Sequence, residues 1–319
     1  MAGEDPGSVR VGVVGVGALG RHHVRIYSQL GEVNLVAVYD INASRAREIA
    51  SQYGVTAARS LEELASLVDA ASVAVPADRH FEVSLPLLEG GVHLLVEKPI
   101  ATDTAEAERM VAAAQRRNVI LQVGHVERFN PVLSYLEENA PDPKFIEAHR
   151  LAPYPAPRQD GRPRGTEVSV VLDLMIHDLE IILHLVRSDV VRMDAVGVSV
   201  LSDSEDIANV RIAFRNGCVA NVTASRISPE RMRKIRVFLE DTYISLDYEK
   251  QVGELFRKAG ERILREPVPL ERDEPLLREL RSFVRCVADR SLPVVPAEHA
   301  AQALRLACRI VEMIRGRGS

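Results

Sequence analysis

The feature that most constrains this chain is a glycine-rich turn set between a strand and a helix. Val9-Arg10-Val11-Gly12-Val13-Val14 reads as a strand, Gly15-Val16-Gly17-Ala18-Leu19-Gly20 follows at once, and helical patterning runs from Ala18 to about Leu30. G-x-G-x-x-G carries meaning only in that context. Gly15 permits the tight turn, Gly17 lets the backbone approach a pyrophosphate, and Gly20 allows the helix to pack closely on the strand. The helix start at Ala18 and Leu19 offers free N–H groups and a positive dipole end to phosphates. A second strand, Leu35 to Tyr39, ends in Asp40, at the spacing expected of an acid that accepts hydrogen bonds from ribose hydroxyls. Such an acid favours NAD and repels the extra phosphate of NADP. The structural alternative for Asp40 is a turn residue or helix cap, and Arg45 is expected on the solvent face of the next helix.

The alternation of strand and helix continues for over a hundred residues. Helices are expected at Ala43–Tyr53, at Ser60–Leu67 with Ser60 as N-cap and Glu63 in the capping-box position, at His80–Glu89, and at Thr102–Arg117 with Thr102 as N-cap. Between them lie the apolar runs Ala71–Val75, Val92–Val96 and Val119–Val123. Strands apolar throughout belong to a parallel sheet covered on both faces. From Gly124 the grammar changes. Val168 to about Arg187 reads as a strongly apolar helix. Phe145–Leu151, Val191–Leu201, Ile207–Phe214, Cys218–Ser225, Ile235–Leu239, Tyr243–Tyr248 and Val252–Arg257 read as strands, with Asn216-Gly217 as a hairpin turn. The fold class is therefore α/β. A Rossmann-type doubly wound parallel sheet precedes an α+β domain with an open, mainly antiparallel sheet. The expected division is a frayed tail at 1–8, a dinucleotide-binding domain at 9–124, and a substrate-binding and oligomerisation domain at 125–319. Helices Leu276–Ala288 and Ala297–Ile314 close the chain and are free to pack back on the first domain.

Ligands of open α/β sheets bind outside the carboxyl ends of the strands. Glu97-Lys98-Pro99 ends the strand Val92–Val96, so Lys98 points into that crevice, and the turn from Pro76 to His80 lies beside the cofactor. His80 is either a helix-start residue near the dinucleotide or a packed surface histidine. On the apolar helix Val168–Arg187, Asp173 and His177 are four residues apart and share one face. Ionisable groups on so apolar a helix are costly unless paired or at a site. The structural alternative is a local Asp–His pair in the core. Oxidation of an alcohol by nicotinamide needs a base for the hydroxyl proton and a cation or donor for the developing alkoxide. His177 suits the first role, because imidazole titrates near neutrality. Lys98 suits the second, Asp173 can orient hydroxyls or the imidazole, and Glu97 is a structural or cofactor-side group. Lys98 and His177 are expected to face one pocket. The loop 153–165 carries Arg158, Arg162 and Arg164; it either meets a phosphate, with Arg158 as a candidate ligand, or is a solvated surface loop.

The set Gly15-Val16-Gly17-Ala18-Leu19-Gly20, Pro76, His80, Glu97-Lys98-Pro99, Asp173 and His177 resembles the Gfo/Idh/MocA oxidoreductase family. The resemblance implies a catalytic lysine, with the aspartate and histidine beside it, a Lys98–Pro99 bond that is often cis, and dimers or tetramers formed through the second-domain sheet. Within the family, Val123 to Pro131, Val171 to Asp178, and Ala224 to Ser228 leading to Tyr243-Ile244-Ser245 are similar to the bacterial UDP-N-acetylglucosamine 3-dehydrogenases of lipid A biosynthesis. Those enzymes oxidise the sugar 3-hydroxyl to a ketone for a subsequent aminotransferase. Arg128, Asn130, Arg226 and Tyr243 become candidates for contacts to a nucleotide sugar. Each has a structural alternative, such as Asn130-Pro131 as a helix start or Tyr243 as a packed strand residue. Inositol-type dehydrogenases of the same family, and a non-catalytic dinucleotide-binding regulator on the same scaffold, are the competing readings.

Composition narrows the partners. A net charge of -5 gives no basis for general nucleic-acid binding. Three cysteines, Cys218, Cys286 and Cys308, fit no metal spacing and no disulfide framework, so reduced thiols and no bound metal are expected. The polar start lacks a signal-peptide core and no apolar run is long enough to span a bilayer, which predicts a cytoplasmic protein.

Overall fold

The computed structural model describes residues 8–156 and 165–316, so Arg158 lies outside the described residues. Among these residues the chain forms two compact units. Residues up to His125 join Leu276–Ala301 in one, and Val126–Pro275 join the chain from Gln302 in the other. No helix of the described residues is long and apolar enough to cross a membrane.

The first unit runs β1 (Val9–Val14), α1 (Gly20–Tyr27), β2 (Val33–Tyr39), α2 (Ala43–Tyr53), β3 (Thr56–Ala57), α3 (Leu61–Leu67), β4 (Ala70–Val73), α4 (His80–Glu89), β5 (His93–Glu97), α5 (Thr104–Arg117) and β6 (Leu121–Gly124). All its strand pairs are parallel, in the order β3-β2-β1-β4-β5-β6. Every residue of β4, β5 and β6 is buried, which is why these segments read as mostly apolar runs without alternation. The order reverses between β1 and β4, so the carboxyl ends of β1, β4 and β5 share the edge where such sheets take ligands. Two caps show how locally the helices are specified. Ser60 accepts the Glu63 N–H at 3.2 Å, and Glu63 reaches back to the Arg59 N–H at 2.7 Å. The α5 cap is Asp103, not Thr102. Asp103 Oδ1 accepts from the Ala105 and Glu106 N–H groups, and Thr102 lies one residue too early to do so. The closing helix α8 (Pro275–Asp289) places Leu280, Phe283, Val284 and Val287 in a core shared with Val11, Val24 and Tyr27.

The second unit contains α6 (Pro131–Asn139), β7 (Phe145–Leu151), α7 (Ile176–Val186), β8 (Val190–Val198), β9 (Ile207–Phe214), β10 (Val219–Ser225), β11 (Met232–Phe238), β12 (Thr242–Asp247), β13 (Val252–Ala259) and β14 (Arg262–Pro267). Helix α9 (Ala297–Gly316) begins in the first unit and continues in the second. The eight strands lie in the order β14-β13-β12-β11-β7-β10-β9-β8, antiparallel except for the β7–β10 pair. Along β7 the odd positions are partly exposed, while Ile146, Ala148 and Arg150 are buried towards α7. Asn216-Gly217 turns between β9 and β10 with Gly217 at φ 90°, as its sequence predicts. Strand β14 is an addition. All six of its residues are exposed, so it carries none of the alternation that marks a half-buried strand.

One buried histidine gives the first unit a pH dependence. His93, 4% exposed, accepts the Ile120 N–H at Nδ1 (2.8 Å), which requires that nitrogen unprotonated. Burial, helped by nearby Arg290, pushes its pKa down from 6.5 to about 4. The unfolded chain then binds the proton more readily, so stability falls as pH drops from the unfolded value towards the folded one. Urea unfolding at pH values on either side of about 6 should show wild type losing stability on acidification and His93→Asn losing less. Equal losses would remove His93 as the cause.

Candidate active site

The glycine turn is built by three glycines with three different environments. Gly15 has φ 83°, and a Cβ there would stand 2.9 Å from the Ala74 backbone. At Gly20 a Cβ would stand 1.8 Å from the Gly15 carbonyl oxygen, so only glycine lets α1 start there. Gly17 is the reverse case: a Cβ would meet nothing within 4 Å. The protein's own packing does not demand glycine at 17. A bare backbone opening onto space suits a ligand that must approach closely. Gly17, Ala18 and Leu19 are the exposed members of the turn, at the amino end of α1. The residues present therefore fit a dinucleotide pyrophosphate.

Asp40 lies at the end of β2 and braces this turn. Its Oδ2 accepts the Val16 N–H at 3.0 Å and its Oδ1 accepts the Asn42 N–H at 2.8 Å. A carboxylate retains lone pairs beyond these two bonds. Arg45, expected on the solvent face, turns inward to within 3.5 Å of Asp40 Oδ2. Asn42, not Asp40, caps α2.

Pro76 is exposed just beyond β4, whereas His80 is buried. The His80 ring nitrogens face carbonyl oxygens, Nδ1 that of Pro99 at 2.6 Å and Nε2 that of Val75 at 3.1 Å. Burial pushes its pKa down against the pull of those carbonyls. His80 thus opens α4 buried between two carbonyls, where it braces the Pro99 turn against the chain leaving β4. Glu97 is likewise turned inward. Its Oε1 lies 3.1 Å from His23 Nε2 of α1, and its carboxylate packs on the α-carbon of Gly124. Burial alone would raise the Glu97 pKa, but the His23 contact holds it below the usual value. Lys98 is the first residue past β5 and is partly exposed; the Lys98–Pro99 bond is cis. Lys98 and the glycine turn thus occupy the same carboxyl edge of one sheet.

In the second unit the helix carrying Asp173 and His177 is not uniform. Val171–Met175 forms a π-helical turn that runs into α7. Such turns are uncommon and concentrate at functional sites. Asp173, Leu174 and His177 are the partly exposed residues of this stretch, and Val171, Leu172, Met175, Ile176 and Asp178 are buried. Asp173 and His177 therefore do share one stripe. Asp178, next to His177, points inward to Arg150, which donates through Nε at 2.8 Å and Nη2 at 3.1 Å. Arg150 also donates to Glu127 at 3.0 Å. Burial opposes the Arg150 charge, but the Asp178 and Glu127 carboxylates outweigh it and raise its pKa.

Three nucleotide-sugar candidates are engaged by their surroundings within the protein. Asn130 is buried as the cap of α6. Its Oδ1 accepts the Val132 N–H, and its amide donates to Glu127 and to the Tyr248 carbonyl. Arg226 is 2% exposed, and every guanidinium nitrogen donates within the protein. Tyr243 is stacked between Phe238, 5.0 Å away, and Phe256, 4.2 Å away. Arg128 is also buried, donating to Glu180 at 2.7 Å. The sequence reading missed Arg150, Glu127, Asp178 and Glu180 as a buried charged group. The signal was present in β7, where Arg150 continues the inward positions of Ile146 and Ala148.

Comparison with known proteins agrees with both halves. Residues 9–125 match the oxidoreductase family with an NAD-binding Rossmann fold, and residues 141–245 match the GFO/IDH/MocA C-terminal domain. A UDP-N-acetylglucosamine 3-dehydrogenase from Acidithiobacillus ferrooxidans is 36% identical over 88% of this chain and 89% of its own. A solved structure of that enzyme superposes with a TM-score of 0.90, covering 97% of this chain and 98% of the other. A myo-inositol 2-dehydrogenase from Thermotoga maritima is 27% identical over 93% of this chain and 94% of its own.

Substitution at the tightest glycine tests the turn. Gly20→Ala forces the Gly15 carbonyl aside, and a clash of that size costs about 1–3 kcal/mol. The variant should melt lower and bind NAD more weakly by calorimetry; unchanged NAD affinity would dissociate the turn from the cofactor.

Proposed function

The chain belongs to the Gfo/Idh/MocA oxidoreductase family, and on that premise we propose that it oxidises a sugar hydroxyl to a ketone with NAD, most specifically the 3-hydroxyl of UDP-N-acetylglucosamine. One observation carries the reading: a partly exposed lysine, Lys98, stands on the same carboxyl edge of the parallel sheet as the glycine turn. The similarity to the Acidithiobacillus enzyme supports the choice of substrate.

NAD, when bound, supplies the hydride acceptor. The glycine turn and the amino end of α1 meet its phosphates, and Asp40 takes the ribose hydroxyls with the lone pairs left after its two backbone bonds. The chain's side chains handle the proton. As the C–H bond gives up hydride, the hydroxyl proton passes to His177, and the carbon–oxygen bond becomes a carbonyl. Lys98 holds its positive charge against the oxygen as alkoxide character develops, where a fixed cation lowers the barrier without reorganising. Asp173, on the His177 stripe, orients the neighbouring sugar hydroxyls or the imidazole. Glu97 is bound to His23 and is assigned no proton.

Incubation with UDP-N-acetylglucosamine and NAD, with a ketone trap to draw the equilibrium, should give reduced-nicotinamide absorbance. Absence of product across nucleotide sugars, with turnover of inositol, would replace the substrate and keep the reaction. Lys98→Met should lower kcat by about a hundredfold or more. Activity undiminished by that change would overturn the mechanism, and a protein that binds NAD but turns over no alcohol would be a regulator.

A further inference from the structure

The carboxylate of Asp173 lies against a backbone that another buried residue holds in place. A Cβ on Gly165 would stand 2.4 Å from Asp173 Oδ2 and 2.9 Å from its Cγ, so the carboxylate rests on the bare α-carbon. Gly165 also has φ 80°, a conformation side chains rarely adopt. The backbone from Gly165 to Val168 is fixed by Arg226. Its Nη1 donates to the Gly165 carbonyl at 2.8 Å and to the Val168 carbonyl at 2.9 Å. The rest of the guanidinium is anchored elsewhere, Nε to Asp206 at 2.9 Å and Nη2 to the Ser202 and Ser204 hydroxyls and the Glu205 carbonyl. Asp206 is fixed in turn by the N–H groups of Val200, Leu201 and Ser202. From the other side, the Asp173 N–H donates to Ser169, and the Val170 N–H to Glu205.

We propose that Gly165 and Arg226 are positioning residues for Asp173: Arg226 holds the strip of backbone that sets where the Asp173 carboxylate sits. This rests on the reading of Asp173 as a group that orients substrate or imidazole. It removes Arg226 from the substrate and gives it a measurable effect on the reaction. A planar guanidinium is required, because five N–H donors in a fixed fork serve acceptors that a single ammonium cannot reach together.

The test compares Asp173→Ala, Gly165→Ala, Arg226→Lys and the double variant G165A/D173A in the full-length protein, with UDP-N-acetylglucosamine and NAD as probes. D173A examines the underlying reading, which fails if its kcat stays within about twofold of wild type. G165A should lower kcat about tenfold with KM for NAD unchanged, as expected when a reacting geometry is displaced and binding is not. Added to D173A, it should cost less than about twofold, because the group it displaces is gone. R226K should follow G165A; where R226K fails to fold, G165A carries the test. A crystal structure of G165A supplies a readout independent of turnover. A carboxylate moved by about 1 Å supports the proposal. A carboxylate left in place, or a further tenfold loss in the double variant, overturns it while leaving the D173A result standing.

Discussion

A guanidinium taken out of water has to be answered by carboxylates or carbonyls, and the second unit is arranged around three such answers. Breaking a buried pair costs about 3–5 kcal/mol, because the surviving charge is stranded. Arg150 of β7 joins Asp178 of α7 to Glu127 in the turn before α6. Arg128 joins that turn to Glu180, and Arg226 joins the end of β10 to Asp206. These pairs decide the rotation of α7 about its axis. Asp178 and Glu180 are buried on their arginines, while Asp173 and His177 remain partly exposed.

In the first unit, side chains bonded to the backbone and to one another play the corresponding part. Asp40 follows β2, Glu97 ends β5 and His80 opens α4, and each makes polar contacts inside the unit. Asp40 braces the glycine turn, His80 braces the Pro99 turn, and Glu97 is tied to His23 on the helix that the turn initiates. Lys98 stands partly exposed at the end of β5, just after Glu97.

What the sequence disclosed follows from which physics is local. Strand β5 was legible because every residue in it is buried, and the Asn216-Gly217 turn because its type demands positive φ. Fold class and cofactor were legible because Gly15 and Gly20 are steric requirements of the turn and Gly17 leaves its backbone open to a ligand. Strand β14 was not, since an edge strand exposed on both faces has no alternation to read. Arg226, Asn130 and Tyr243 drew attention through a resemblance in their stretches of sequence, but a stretch of sequence does not say which way a side chain points. Arg226 turns into the fold because its acceptors, from Gly165 to Asp206, come together only in three dimensions. The π-helical turn at Asp173 is also invisible to a four-residue spacing rule that assumes a regular helix.

The aromatic row on the partly exposed face of the second sheet has an optical consequence. Phe145, Phe238, Tyr243 and Phe256 stack across β7, β11, β12 and β13. The chain has no tryptophan, so its near-ultraviolet emission comes from its tyrosines, and Tyr243 is the one held between two rings on that face. Anything that covers the row also covers the ring of Tyr243, one of the seven tyrosines of the chain. With no indole in the chain, ultraviolet light reads that surface through tyrosine, to which Tyr243 contributes one ring of seven.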